Sequence, residues 1–240
     1  MPIEATREEP AVRPVLRAAS VSVSYGRRQV LFDVSVEVAP GEVVCVVGHN
    51  GAGKTTLLNA IAGTVPASGV IELAGETSRG RGVPPGLALV PSEGCVFPTL
   101  SVRDNLRLGG RDSHGEEFQR RFDHAVGLFP ILADRLGQTA GSMSGGEQRM
   151  LGVAIGLMRS PELLLLDEPS IGLAPAVTDT LFETISRLAR SEGVSVLLVE
   201  QSIIKALAIA DRAQVMRSGR IIVEAAGSEL SSRADLWELF

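Results

Sequence analysis

Gly48-His49-Asn50-Gly51-Ala52-Gly53-Lys54-Thr55-Thr56 lies between an apolar run, Val43-Val44-Cys45-Val46-Val47, and an apolar-periodic run, Leu57-Leu58-Asn59-Ala60-Ile61. The order is strand, glycine-rich loop, helix. The spacing G-x-x-x-x-G-K-[ST] is met by Gly48, Gly53, Lys54 and Thr55. Glycine allows the backbone to wrap closely around phosphate, where a Cβ would clash or forbid a positive φ. The loop amides then point inward and meet the positive end of the helix dipole. Lys54 can reach the β- and γ-phosphates, and the Thr55 hydroxyl can ligate Mg²⁺. Residues 48–56 are therefore the candidate nucleotide-binding loop, with His49 read as a tolerated loop residue. A chance glycine-rich turn would not need a strand before it and a helix after it.

The chain has 240 residues, 45% hydrophobic, enough for one large domain with a substantial core. Net charge is −5, which argues against nucleic acid as a partner. Cys45 and Cys95 form no disulfide or metal pattern, so a reducing compartment is the default. No apolar stretch approaches the roughly 18–20 residues that span a bilayer. Residues 1–14 begin charged and proline-bearing, without an apolar signal core, and read as a disordered lead-in.

Between 15 and 38, Val21, Val23 and Tyr25 alternate. After a turn at Gly26-Arg27-Arg28, Val30, Phe32, Val34, Val36 and Val38 alternate again. Period-two spacing predicts two half-buried antiparallel strands forming a small β-layer. Tyr25, at a strand end, is placed to stack on an adenine ring. The sequence then predicts a helix over 56–63, short strands at 70–73 and 87–90, and a loop over 75–85.

From about 101 to 160 the chain turns helical. Ser101-Val102-Arg103-Asp104 has the form of a helix cap. Phe118, Phe122, Val126 and Phe129 make one core-facing stripe. Arg107, Arg120 and Arg121 read as solvated. Beyond 160, buried strands at 163–166 and 194–199 alternate with helices at 176–190 and 203–211. A strand pair follows at 213–216 and 221–223, then a helical tail over 226–240. This is an α/β pattern, a mainly parallel sheet flanked by helices.

Leu163-Leu164-Leu165-Leu166-Asp167-Glu168 sets two acids at the end of a buried strand. Asp167 can meet an Mg²⁺ held by Thr55. Glu168 can orient and deprotonate a water attacking the γ-phosphate. Ser144-Gly145-Gly146-Glu147-Gln148, 90 residues after Lys54, opens a further helix whose N-terminus could face phosphate.

Together these segments resemble the ATP-binding subunit of an ABC transporter, over about residues 15–225. Ser144, Gly145, Gly146, Glu147 and Gln148 are similar to the family signature, with Met143 where Leu is usual. Asp167-Glu168-Pro169-Ser170 leads into the D-loop-like Ser170-Ile171-Gly172-Leu173-Ala174-Pro175. Gly172-Leu173-Ala174-Pro175, Leu197-Leu198-Val199-Glu200-Gln201, and Val90-Pro91 followed by Phe97-Pro98 resemble subunits serving branched-chain amino acid and related urea or amide importers.

The resemblance implies an ABC-type P-loop NTPase fold, with the N-terminal antiparallel layer and a helical subdomain over about 101–160. It implies an ATPase using ATP and Mg²⁺ to power transport. Two subunits, identical or related, would sandwich two ATP molecules, each loop 48–56 facing the other copy's signature. Helices between 101 and 160 would dock on membrane permease subunits, with a solute-binding protein served indirectly. The implied location is cytoplasmic, peripheral on the inner face of the cell membrane.

The chain departs from the family pattern at two places. Ser92 stands where a Mg²⁺-ligating, γ-phosphate-sensing glutamine is usual, with Glu93 next to it. Serine is short and could act only through a bridging water. Gln201 stands at the switch-histidine position, where it can donate a hydrogen bond to γ-phosphate but carry no proton charge. Ser92 motivates an alternative: a module that dimerises on ATP, hydrolyses it slowly and regulates a partner. Glu168 opposes that alternative. A chromosome-maintenance or repair ATPase shares the signature, but the 90 residues between loop and signature hold no heptads for a coiled coil.

Overall fold

The computed structural model describes residues 13–77 and 82–240. Most of the lead-in expected over 1–14, and positions 78–81 of the loop expected over 75–85, lie outside the described residues. The strands are β1 (Leu16–Tyr25), β2 (Arg28–Val38), β3 (Val43–Val47), β4 (Ser68–Leu73), β5 (Glu76–Thr77), β6 (Leu87–Val90), β7 (Leu163–Asp167), β8 (Ser195–Glu200), β9 (Arg212–Arg217) and β10 (Arg220–Ala226). The helices are α1 (Lys54–Ile61), α2 (Val102–Gly109), α3 (Gly115–Leu128), α4 (Pro130–Ala133), α5 (Gly145–Leu157), α6 (Pro175–Glu192), α7 (Ile203–Ile209) and α8 (Gly227–Ser232).

One sheet runs β2-β1-β4-β5, and its pairs are antiparallel. The strand expected at 70–73 joins this layer. The alternation expected along β2 resets at Asp33, which has a left-handed backbone (φ 55°), as does Ser20 (φ 53°) on β1. The register of the pair shifts around these positions. The freed amides are satisfied across the pair: Asp33 N–H donates to Ser22 Oγ and Ser20 N–H to Ser35 Oγ, both at 3.0 Å. As a result Leu31, not Val30 or Phe32, joins Val34, Val36 and Val38 inside. Phe32 turns outward, where the Arg220 guanidinium lies 4.8 Å from its ring centroid.

The second sheet has the order β10-β9-β3-β8-β7-β6; β10 is its antiparallel edge and the other pairs are parallel. Both faces are covered. Val44, Val46, Leu165 and Leu197 pack with α1 and the antiparallel layer, whereas Val43, Cys45, Leu164 and Leu198 pack with α5, α6 and α7. Burial on two faces is why these strands read as unbroken apolar runs.

Helices α2 to α5 occupy the interval between β6 and β7. Ser101 caps α2, accepting from Asp104 N–H at 3.1 Å. The aromatic stripe meets the core, with Phe122 and Phe129 buried. Arg121 departs from its solvated expectation: it is partly buried, pairs with Glu117 and donates to Met158 O at 3.1 Å. The tail is not one helix. Strand β10 continues to Ala226, α8 ends at Ser232, and a single 3-10 turn covers Leu236–Leu239. No helix among the described residues is long and apolar enough to cross a membrane.

Candidate active site

The register of the parallel sheet assembles the site. Val47 lies beside Glu200, Asp167 beside Val199, and Val90 beside Leu166. The carboxyl ends of β3, β8, β7 and β6 therefore form one edge, the edge where open α/β sheets bind ligands. The loop 48–56, Gln201, Asp167-Glu168 and Ser92 all leave from it.

Close approach of backbone makes glycine necessary in the loop. A Cβ at Gly48 would stand 2.3 Å from Met216 O, and Gly53 has φ 111° with Leu31 Cδ2 2.8 Å from where its Cβ would lie. The next strand pair braces the loop: Gly219 N–H donates to Ala52 O at 2.8 Å, and Phe32 N–H donates to Gly219 O at 2.9 Å. The hairpin that ends in Tyr25 is thereby anchored to the phosphate loop. Tyr25 itself is half exposed.

Lys54 is buried, and its Nζ donates to Gly48 O (2.8 Å) and His49 O (3.2 Å) and pairs with Glu168 Oε1 (3.1 Å). Its donors point into the concavity of the loop. Asn50 and Gly51 are exposed at its rim, and Thr56 is partly buried on α1. Thr55 Oγ1 donates to Asp167 Oδ1 at 3.0 Å. Burial pushes the Asp167 carboxyl above its ordinary range, Glu168 adding to the rise, while hydrogen bonds from Thr55 and Ser92 pull it back. A hydroxyl and a carboxylate in this arrangement fit Mg²⁺, a hard cation usually held by one or two protein oxygens plus substrate phosphates. Among the described residues no three His, Cys, Asp or Glu side chains cluster as an all-protein cage.

Glu168 has a left-handed backbone (φ 45°), fixed by its N–H donating to Val199 O at 2.9 Å. A non-glycine residue in this region carries backbone strain that the surrounding structure must hold. The turn brings Oε1 to Lys54 and Oε2 to Gln201, whose Nε2 donates at 2.6 Å. Gln201 thus contacts the predicted general base directly.

Ser144, Gly145, Gly146, Glu147 and Gln148 open α5, whose helix begins at Gly145. Ser144 Oγ accepts from Glu147 N–H (3.4 Å) and Glu147 Oε2 accepts from Ser144 N–H (2.9 Å), a reciprocal cap. Gln148 Nε2 donates to Ala140 O and Met143 O, both at 3.2 Å. Ser144 and Gly145 stay exposed, and no hydrogen bond or ion pair among the described residues links the signature to the loop 48–56. Glu93 is exposed, and Ser92 is partly buried beside Asp167.

Two residues escaped the sequence reading. Arg149, buried on α5, donates to Pro91 O (2.9 Å) and Ser92 O (2.6 Å), tying the signature helix to the Ser92 segment. A cation within an apolar-periodic helix was the available signal. Glu200, also buried, accepts backbone N–H groups from both neighbouring loops. Its signal was a carboxylate closing an otherwise apolar strand.

Comparison with known proteins agrees with this geometry. The family model described as ABC transporter matches residues 31–171. The chain is similar to the high-affinity branched-chain amino acid transport ATP-binding protein BraG of Pseudomonas aeruginosa, 47% identical over 88% of this chain and 92% of that protein. It is 35% identical to the probable branched-chain amino acid transport ATP-binding protein LivF of Archaeoglobus fulgidus, over 90% of this chain and 94% of that protein. Among solved structures, an ATP-binding subunit of an ABC transporter superposes with TM-score 0.81 at 26% identity, covering 94% of this chain and 97% of the other. An ABC transporter cassette in its ADP conformation shares the fold at 23% identity, TM-score 0.83, over 95% and 98% of the two chains. A phosphate loop, an acid pair and a signature helix on one cassette fold, with relatives matched over nearly their whole length, place the chain in the ABC transporter ATP-binding family.

Proposed function

We propose that this chain is the ATP-hydrolysing subunit of an importer for branched-chain amino acids or a related small polar solute, working at the inner face of the cell membrane. The observation that carries the hydrolytic reading is the convergence of Lys54, Thr55, Asp167, Glu168 and Gln201 at one sheet edge. The similarity to BraG and LivF, both named for branched-chain amino acid transport, supports the substrate class. The partners are a second ATPase subunit, identical or related, and membrane permease subunits, with a solute-binding protein acting through them.

The adenine stacks on Tyr25. The loop amides of 48–53 and the Lys54 ammonium take the phosphates, Lys54 exchanging its carbonyl partners for phosphate oxygens. Thr55 and Asp167 would hold Mg²⁺, which when bound neutralises charge on the phosphates. Glu168 accepts a proton from water as the water oxygen bonds to the γ-phosphorus and the bond to the bridging oxygen breaks. Gln201 steadies Glu168 and contacts the γ-phosphate. Ser92 and Glu93 flank the same phosphate, Ser92 acting through water. The exposed Ser144 and Gly145 of a second copy close the site, so hydrolysis follows closure.

This reading is tested by sizing the Glu168→Gln chain with and without ATP. The 25.3 kDa chain is expected to pair on ATP addition, and to stay single when Ser144→Arg is added. A Glu168→Gln chain whose size ignores ATP both alone and when mixed with a related ATPase subunit would contradict it.

A further inference from the structure

We infer that Glu200 is a positioning residue that couples the 170–175 loop to the Gln201 switch through its single carboxylate. The inference rests on the hydrolytic reading above. Glu200 is 2% exposed at the end of β8. One oxygen, Oε1, accepts the Ser170 N–H at 2.9 Å, the first residue of the loop that follows Pro169. The other, Oε2, accepts the Gln201 N–H at 3.0 Å and the Ser202 N–H at 3.1 Å. Every identified partner is a backbone amide, so the carboxylate grips chain paths rather than side chains that could swing away.

A buried carboxylate is costly unless hydrogen-bonded, and three charge-assisted bonds offset that cost here. Those bonds also fix where the Gln201 backbone starts, and Gln201 Nε2 reaches Glu168 Oε2 at 2.6 Å. A shift of Ser170 is therefore felt at Glu168 through two links, Glu200 and Gln201. The Ser170 side of the link borders a groove lined by Ile171, Leu173, Gln201 and Lys205, and Ile171 is half exposed there. Contact made by a partner on this loop is passed to the general base. A neutral amide at position 200 has one acceptor oxygen and one NH₂ donor, which would oppose a backbone N–H on one arm.

The test uses the full chain and steady-state ATP hydrolysis with the variants Glu200→Gln, Gln201→Ala, their double and Glu168→Gln. Misplacing the base lowers kcat in Glu200→Gln about tenfold or more. KM for ATP stays within about twofold, because the phosphate loop is untouched. Gln201→Ala falls similarly, and the double variant is no slower than the slower single within about twofold, the non-additivity of residues acting through one path. A Glu200→Gln or Gln201→Ala chain at wild-type kcat, or losses that multiply in the double, would overturn the inference.

Should Glu200→Gln fail to fold, amide exchange in the unaltered chain decides. The Ser170, Gln201 and Ser202 amides must gain protection together when ATP is added, and separate responses would overturn the coupling. If wild-type hydrolysis does not depend on Glu168, the hydrolytic reading itself fails. Glu168-dependent hydrolysis that Glu200→Gln leaves unchanged removes only this inference.

Discussion

Lys54 is held by the groups it must leave. With two carbonyls and Glu168 around its Nζ, the ammonium is kept desolvated and aimed inward, and phosphate oxygens can replace the carbonyls without rebuilding the loop. Charge-assisted hydrogen bonds are worth about 1.5–3 kcal/mol each, so Lys54→Ala is expected to weaken ATP binding by roughly tenfold to a hundredfold. Fluorescent-nucleotide titration checks this. Asp167 illustrates the cost of a buried carboxylate. Burial, first, and then Glu168 raise its folded pKa above the unfolded value. The folded state then binds the more protons, and stability falls as pH rises from the unfolded pKa through the folded one. Nucleotide-free Asp167→Asn is accordingly expected to melt higher than wild type at neutral pH and to lose that advantage below the ordinary carboxylate range, while losing ATP hydrolysis. Thermal melts across pH measure the first, and a phosphate-release assay the second.

At the scale of elements, joints between layers are made by a few long side chains. Arg212 on β9 donates to Glu42 Oε1 (3.0 Å) and Glu37 O (2.6 Å) and pairs with Glu224, linking β2, the turn before β3 and β10. Burial pushes Glu224 up, but hydrogen bonds from Gln214 and Arg212 outweigh it and hold the carboxyl low. A lowered folded pKa contributes stability that is present above the unfolded value and lost as pH falls through the folded one. Arg212→Met is expected to cost about 1–3 kcal/mol at neutral pH, with the Glu224 carboxylate losing its guanidinium partner. The deficit should shrink in acid, as urea unfolding at two pH values would report. Replacing Ser144 by Ala removes the α5 cap, at about 1 kcal/mol. The alternating and continuous apolar runs made most of these elements legible. The left-handed turns at Ser20 and Asp33 were not, because a bulge leaves no trace in polarity; it exchanged Leu31 for Val30 and Phe32 inside. Nor was the pairing of β4 with β1, a contact between distant segments. Motif spacing named Lys54, Thr55, Asp167 and Glu168, whose chemistry follows from residue type. Arg149 and Glu200 act on backbone groups, and that becomes visible only when the loops are placed.

Seen as a whole molecule, the cassette gathers Lys54, Thr55, Asp167, Glu168 and Gln201 on one sheet edge and exposes Ser144 and Gly145 on a separate helix. Gly48, Lys54, Asp167, Glu168 and Gln201 belong to one compact constellation, whereas Ser144 and Gly145 are exposed at the start of α5 and, among the described residues, make no hydrogen bond to it. On the proposed reading, a second ATPase subunit, identical or related, completes both. Arg149 ties α5 to the Ser92 segment, which lies beside Asp167. On the proposed reading Glu168 is the group that turns over ATP. The most direct measurement is steady-state phosphate release from Mg–ATP by the wild-type and Glu168→Gln chains at equal concentration. Loss of a general base is expected to lower kcat by about 10²–10⁴-fold with ATP binding retained. A wild-type chain that releases phosphate no faster than Glu168→Gln would contradict the account.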